Sequence, residues 1–249
     1  EWSVVPAELR DAERTASKSQ QADDGEFSRK IDSQDEDIGS RAVIRNAREL
    51  VWYPSEVDTS IRTGWFYHPE EDTDVRTADE LLDIYLDAVG ANASLLLNIP
   101  PDTHGRIAAP DCASLAELGT KIQQIFAGNV TEKAKITADS AIAQHPITQA
   151  VDGMADTYWQ AAYGQEFDTI TLKFPKPQKV SCVVLGEHLP TGQRIESGEI
   201  WADGSKVSEF TVVGHKRICR FAPVEVLTLT IKITASRTEP TLRLLEVYQ

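Results

Sequence analysis

The stretch Leu50-Val51-Trp52-Tyr53-Pro54-Ser55-Glu56-Val57-Asp58-Thr59-Ser60-Ile61-Arg62, followed by Gly64-Trp65-Phe66-Tyr67-His68, decides how this chain is read. Leu50 to Tyr53 is a short apolar run stopped by Pro54, which predicts a buried strand ending in a loop. The loop then gathers Glu56, Asp58, Arg62 and His68 among the aromatics Trp65, Phe66 and Tyr67. Sugars ask for this set, because aromatic faces stack on the apolar side of a pyranose while carboxylates and arginine hydrogen-bond its hydroxyls. Glycosidic cleavage needs two carboxyl groups, about 5–5.5 Å apart for retention or about 6.5–9.5 Å for inversion. Read structurally instead, Asp58 and Arg62 are an ion pair fixing a loop and the aromatics are core.

Downstream, Thr77 and Glu80 make a capping box for a helix whose apolar stripe is Leu81, Leu82, Tyr85, Leu86 and Val89, ended by Gly90 at C′. Leu95-Leu96-Leu97-Asn98-Ile99 predicts a strand buried on both faces and stopped by Pro100-Pro101. Asp111 is placed to cap a further helix carrying Leu115, Leu118, Ile122 and Phe126, with Gly128 as its stop. Strand, helix, strand, helix predicts parallel pairing. Two or three such strands leave faces and edges open, so residues 1–128 read as the end of a larger α/β domain. The loop past its first strand then occupies the C-terminal face, where a β/α barrel places its active site.

Beyond Gly128 the period switches to two. Ile170, Leu172 and Phe174 alternate with polar neighbours, as do Leu227, Leu229, Ile231 and Ile233. Short strands at 179–185, 198–201, 209–213 and 242–248 complete an expected antiparallel β-sandwich over 129–249, with a linker near 127–135.

The 249 residues carry a formal net charge of −14, and 25 of the 39 acidic residues fall within residues 1–130. Such a field repels phosphate backbones and anionic lipid headgroups, and no basic patch offsets it, so neither nucleic acid nor membrane is an expected partner. No apolar run is long enough to span a bilayer. Three cysteines, Cys112, Cys182 and Cys219, exclude a disulfide-rich scaffold and have no metal-ligand spacing. Cys182 and Cys219 either pair or stand as two buried thiols. Of the sequons Asn92-Ala-Ser and Asn129-Val-Thr, the second, in the linker, is the glycan candidate.

The signature segment resembles that of the glycoside hydrolase family 29 α-L-fucosidases, which has the form Trp-x-Pro-x-Glu-x-Asp-x-Ser-Ile-Arg-x-Gly-Trp-Phe-x-His. Here Trp52, Pro54, Glu56, Asp58, Ser60, Ile61, Arg62, Gly64, Trp65, Phe66 and His68 stand at its fixed positions. The likeness continues through Ile84-Tyr85, Val89-Gly90, Asn92, Leu96 to Pro101, Gly105 and Ile107, and in the second part through Gly192 to Ile195, Trp201, Asp203-Gly204 and Gly214 to Arg217.

The resemblance implies the C-terminal portion of a (β/α)8-like barrel, residues 1–128, followed by a jelly-roll, discoidin-like sandwich, residues 129–249. It implies retaining hydrolysis of terminal α-L-fucose, 1,3/1,4-linked, from glycans of a secreted or extracytoplasmic setting. Both the nucleophile Asp and the acid/base Glu are then expected upstream of Glu1, in a segment of the same enzyme that would be this chain's partner. Within the chain, Glu56 is the carboxylate with a possible catalytic role, hydroxyl recognition being its alternative. Trp52, Asp58, Arg62, Trp65 and His68 are the expected substrate-binding residues, with Trp65 against the fucose methyl and ring. In the sandwich, Ala150-Val151-Asp152-Gly153, Thr157 and Trp159 resemble galactose-binding-like folds, in which the Asp-containing turn often surrounds a structural Ca²⁺; catalysis implies no cofactor. The competing reading is a non-catalytic, lectin-like sandwich on a scaffold segment.

Overall fold

The computed structural model describes residues 2–7 and 39–249. They fall into two compact units, 1–55 and 56–249. The acidic cluster Asp32, Asp35, Glu36 and Asp37 lies outside the described residues.

In the first unit, strand β1 (Val4–Pro6) pairs antiparallel with β2 (Leu50–Trp52), and a one-turn helix α1 (Arg41–Ile44) is capped by Ser40. The expected buried strand is therefore one half of an open ribbon. Leu50 is 46% and Trp52 73% exposed.

The parallel strand begins six residues later than its apolar run suggested. Strand β3 (Glu56–Ser60) pairs in parallel with β4 (Ser94–Asn98), and helix α2 (Ala78–Val89) crosses between them. The capping box of α2 forms as expected, with Thr77 Oγ1 accepting from the Glu80 amide and Glu80 accepting from the Thr77 amide. Helix α3 (Ala109–Ile125) follows, and Leu81, Leu82, Leu118 and Ile61 form the core beneath both helices. A fully buried leucine such as Leu81 contributes about 2 kcal/mol. Two expectations fail locally. Gly90 sits at φ −73°, not in the left-handed region; it is needed because a Cβ there would meet the Leu86 carbonyl and Ile218. Asp111 does not cap α3, whose N-cap is Ala108, because its carboxylate is drawn inward.

The rest is antiparallel. Two strands of unusual length, β7 (Asp168–Gly186) and β10 (Arg217–Ser236), pair along their whole course. β5 (Lys135–Ala138) joins the first half of β7 and β12 (Leu244–Tyr248) the second, while β8 (Ile195–Ala202) and β9 (Ser205–Phe210) extend the sheet beyond β10. A small ribbon of β6 (Trp159–Gln160) and β11 (Thr241–Leu242) lies outside it. The register breaks near Pro223, and again after Val226 opposite the Pro175–Pro177 stretch. Both halves of the sheet contribute to one core: Ile170, Leu172, Leu229 and Ile231 from one, Val183, Leu185, Leu245 and Val247 from the other. Trp159 is wholly buried there and donates through Nε1 to the Ser140 carbonyl.

Cys182 and Cys219 are free, and the pairing explains why. Cys219 stands opposite Val183 and faces the main core, whereas Cys182 faces Tyr248 and Val184 on the other side of the sheet. Asn92, in the left-handed region at φ 68°, is buried and accepts through Oδ1 from the His215 amide, so this sequon is closed to a glycan. Asn129 is exposed.

Glu187, fully buried at the end of β7, accepts from the amides of Arg194, Ile195 and Gly214 and so ties three segments together. Burial lifts its pKa from 4.5 to about 7, against the backbone donors that pull it down. A raised carboxyl pKa means the folded state holds the proton more tightly, so this stabilisation is present at low pH and lost as pH rises through about 7. Glu187→Gln does not titrate, so the difference in Tm between wild type and variant should shrink from pH 5 to pH 8 in thermal unfolding. A constant difference contradicts the account.

Candidate functional site

Strand β3 sorts its side chains by the pleat. Val57, Thr59 and Ile61 turn one way, and Ile61 reaches the helix core; Glu56, Asp58 and Ser60 turn the other. Their parallel partners Ser94, Leu96 and Asn98 share that second face. Glu56 and Asp58 are exposed and Leu96 is 52% exposed, so this face of the strand pair is uncovered among the described residues. The expected double burial of Leu95 to Ile99 is thus one-sided.

Arg62 leaves the end of β3 and is 1% exposed. Its Nε and Nη2 donate to the two carboxylate oxygens of Asp111 at 3.1 and 2.9 Å, a bidentate pair. Nη2 also donates to Asp72 Oδ1 at 2.8 Å and Nη1 to the His68 carbonyl at 3.3 Å, while the Tyr67 ring lies 4.8 Å from the guanidinium carbon. Burial lowers the guanidinium pKa, and the hydrogen bonds to Asp111 and Asp72 outweigh it, leaving the pKa raised. The expected substrate donor is therefore committed to protein partners. The structural alternative was right about an ion pair and wrong about its partner: Asp58 is not in it.

The segment after Arg62 is held by its carbonyls. Ser60 Oγ donates to Gly64 O at 2.8 Å, Asn98 Nδ2 to Trp65 O at 3.1 Å, and Arg62 to His68 O. Asn98 Nδ2 also donates to Ser60 Oγ at 3.0 Å, so the ends of β3 and β4 are locked to each other and to the loop. Arg76 closes the base, donating through Nε to Ser60 O and through its amide to Ile61 O. On this scaffold Trp65 is 51% and Phe66 77% exposed, and the His68 side chain is also exposed.

Glu56, Asp58, Trp65 and His68 thus come from one strand and the loop that continues it; Trp52 belongs to the first unit, exposed on β2. Asp111, Asp72 and Asn98 were missed as parts of this arrangement. Asn98, a polar residue closing an apolar strand, was the readable signal; the two aspartates lie 10 and 49 residues from Arg62 and had none.

In the second part, Asp152 Oδ1 accepts from the Met154 amide and both its oxygens accept from the Thr157 hydroxyl. No group of three His, Cys, Asp or Glu side chains suited to a metal occurs among the described residues. A hard cation takes about six to eight oxygens, of which the Asp152 carboxylate could supply two.

Residues 13–124 match the family described as Alpha-L-fucosidase. This stretch belongs to that family. The chain is 32% identical over 209 residues to Alpha-L-fucosidase 1 of Arabidopsis thaliana, covering 79% of this chain and 41% of that protein. A Ruminococcus gnavus fucosidase of glycoside hydrolase family 29, solved in complex with fucose, superposes with a TM-score of 0.74 at 27% identity, over 80% of this chain and 41% of its own. A Bacteroides thetaiotaomicron protein, described as a candidate α-L-fucosidase, gives 0.76 at 31% over 80% and 45%. The chain therefore spans about two fifths of the length of the relatives it matches.

Removing Asp111 from this fucosidase-family segment leaves a buried guanidinium with only Asp72 as counter-charge. Asp111→Asn should cost about 3 kcal/mol in denaturant unfolding, the low end for breaking a buried pair. A loss under about 0.5 kcal/mol contradicts the assigned burial of the charge.

Proposed function

We propose that the chain forms part of an α-L-fucosidase that hydrolyses terminal α-L-fucose, 1,3- or 1,4-linked, from glycans with retention, as one glycoside hydrolase working outside the cytoplasm. The observation that carries this reading is the uncovered face of β3 and β4, which presents Glu56 and Asp58 beside a pinned loop bearing Trp65 and His68. A parallel strand pair with helices on one face and carboxylates on the other fits the inner wall of a β/α barrel, residues 1–128, with the sheet of 129–249 as a sandwich beside it.

Glu56 and Asp58 lie two residues apart on one strand, so both approach a bound sugar from the same side. Double displacement needs carboxyls on either side of the anomeric carbon, about 5–5.5 Å apart. In this reading, as the family resemblance implies, the nucleophile is a carboxylate of another strand, upstream of Glu1. Glu56 then binds ring hydroxyls or serves as acid and base. Trp65 stacks against the apolar fucose face and methyl, His68 bonds a hydroxyl, and Asp58 a further one.

A lectin-like role for 129–249 would have to use aromatics other than Tyr158. Tyr158 is sandwiched between His145 and His188 at 3.9 Å on each side, so neither of its faces is free to stack on a sugar.

The full-length enzyme that contains this chain should release L-fucose from α1,3- and α1,4-fucosylated oligosaccharides, and NMR of the fresh product should show the α-anomer first. Initial β-fucose, or no release by that enzyme, overturns the reading, and full turnover by the 249-residue chain alone overturns the upstream placement of the nucleophile. Glu56→Gln that lowers kcat and leaves KM assigns Glu56 to proton transfer, whereas a rise in KM alone assigns it to binding.

A further inference from the structure

We infer that Asp72 and Asp111 are positioning residues of the substrate platform, acting through Arg62 on Trp65 and His68; the inference rests on the fucosidase reading of that platform. The segment from Thr63 to His68 forms no helix or strand, and it has no apolar layer of its own, since Trp65 and Phe66 face outward. Its conformation is set by the three carbonyls of Gly64, Trp65 and His68, each held by a side chain rooted in or just after a strand. Arg62 is the only one of the three anchors that is a rotamer-rich chain, and its aim is fixed from both sides. Asp111, wholly buried on α3, takes Nε and one Nη2 hydrogen; Asp72, with a half-open side chain, takes Nη2 from the far end of the same loop. The guanidinium thus bridges the first turn of a helix, the end of a strand and both the middle and the end of the loop. Asp111 keeps the guanidinium in place, so releasing Asp72 unties residue 72 from Arg62 and leaves the segment from His68 to Asp72 held to it by the His68 carbonyl alone. Displacement of a positioning group by about 1 Å is enough to change rates by about 100-fold.

Asp111 also holds the fold, so the decisive variant is at the half-exposed Asp72. In Asp72→Ala of the full-length enzyme that contains this chain, amide hydrogen exchange should accelerate across residues 63–72 and not in β7 or β10, Tm should stay within a few degrees, and the inhibition constant of L-fucose should rise about 10- to 100-fold. Asp72→Asn, which keeps an Oδ1 acceptor for Nη2, should retain most of the affinity. Exchange in Asp72→Ala equal to wild type overturns the clamp. Accelerated exchange with unchanged fucose inhibition overturns its role in positioning. Wild-type full-length enzyme that neither binds fucose nor releases it overturns the underlying reading, and with it the assignment of what is positioned, while the exchange result still decides the clamp.

Discussion

Everything at the front of the second unit depends on a single charge that has lost its water. Arg62 is held in the interior by Asp111 with two parallel hydrogen bonds, and an isolated charge there would be prohibitively costly. Once that pair is fixed, the remaining guanidinium donors can reach only Asp72 and the His68 carbonyl. The loop carrying Trp65 and His68 inherits its shape from this. A planar guanidinium makes five donors in a fixed fork, which is why a lysine would not substitute: it offers a point charge without the geometry.

The same unit ties its helical layer to its sheet by small, specific contacts. The Gly90 carbonyl accepts from Ile218, the Asn92 side chain accepts from His215, and Gly214 has no side chain because Asn92 occupies the space a Cβ would take. Phe126 at the end of α3 meets Tyr248 of β12 edge-on, with ring centres 5.3 Å apart. The second half of β7 is therefore covered on both faces, by the main core and by this junction, which accounts for the unbroken burial of Cys182 to Glu187. A strand end anchored in this way holds β4, and hence Asn98, in register beneath the loop.

What could be read from the sequence was what depends on near neighbours. The capping box of α2 is a four-residue pattern and forms as read, and the alternation of Ile170, Leu172 and Leu229, Ile231 places those residues in the core. What could not be read depends on partners far along the chain. Glu56 to Ser60 looked like a loop because one face of that strand, with Glu56 and Asp58 exposed, is polar. Asp111 looked like a helix cap and Arg62 like a sugar donor, since nothing local says that residues 49 apart will neutralise each other. The lengths of β7 and β10 were hidden by Pro175, Pro177 and Pro223, which normally end strands and here lie at or opposite breaks in register.

The most direct test of the central claim is to titrate the protein with L-fucose and with its mirror image D-fucose while following intrinsic tryptophan fluorescence in wild type and in Trp65→Phe. The account predicts a saturable change with L-fucose alone, and its loss or marked reduction in Trp65→Phe. An equal response to both sugars, or a response unaltered by the substitution, would contradict it.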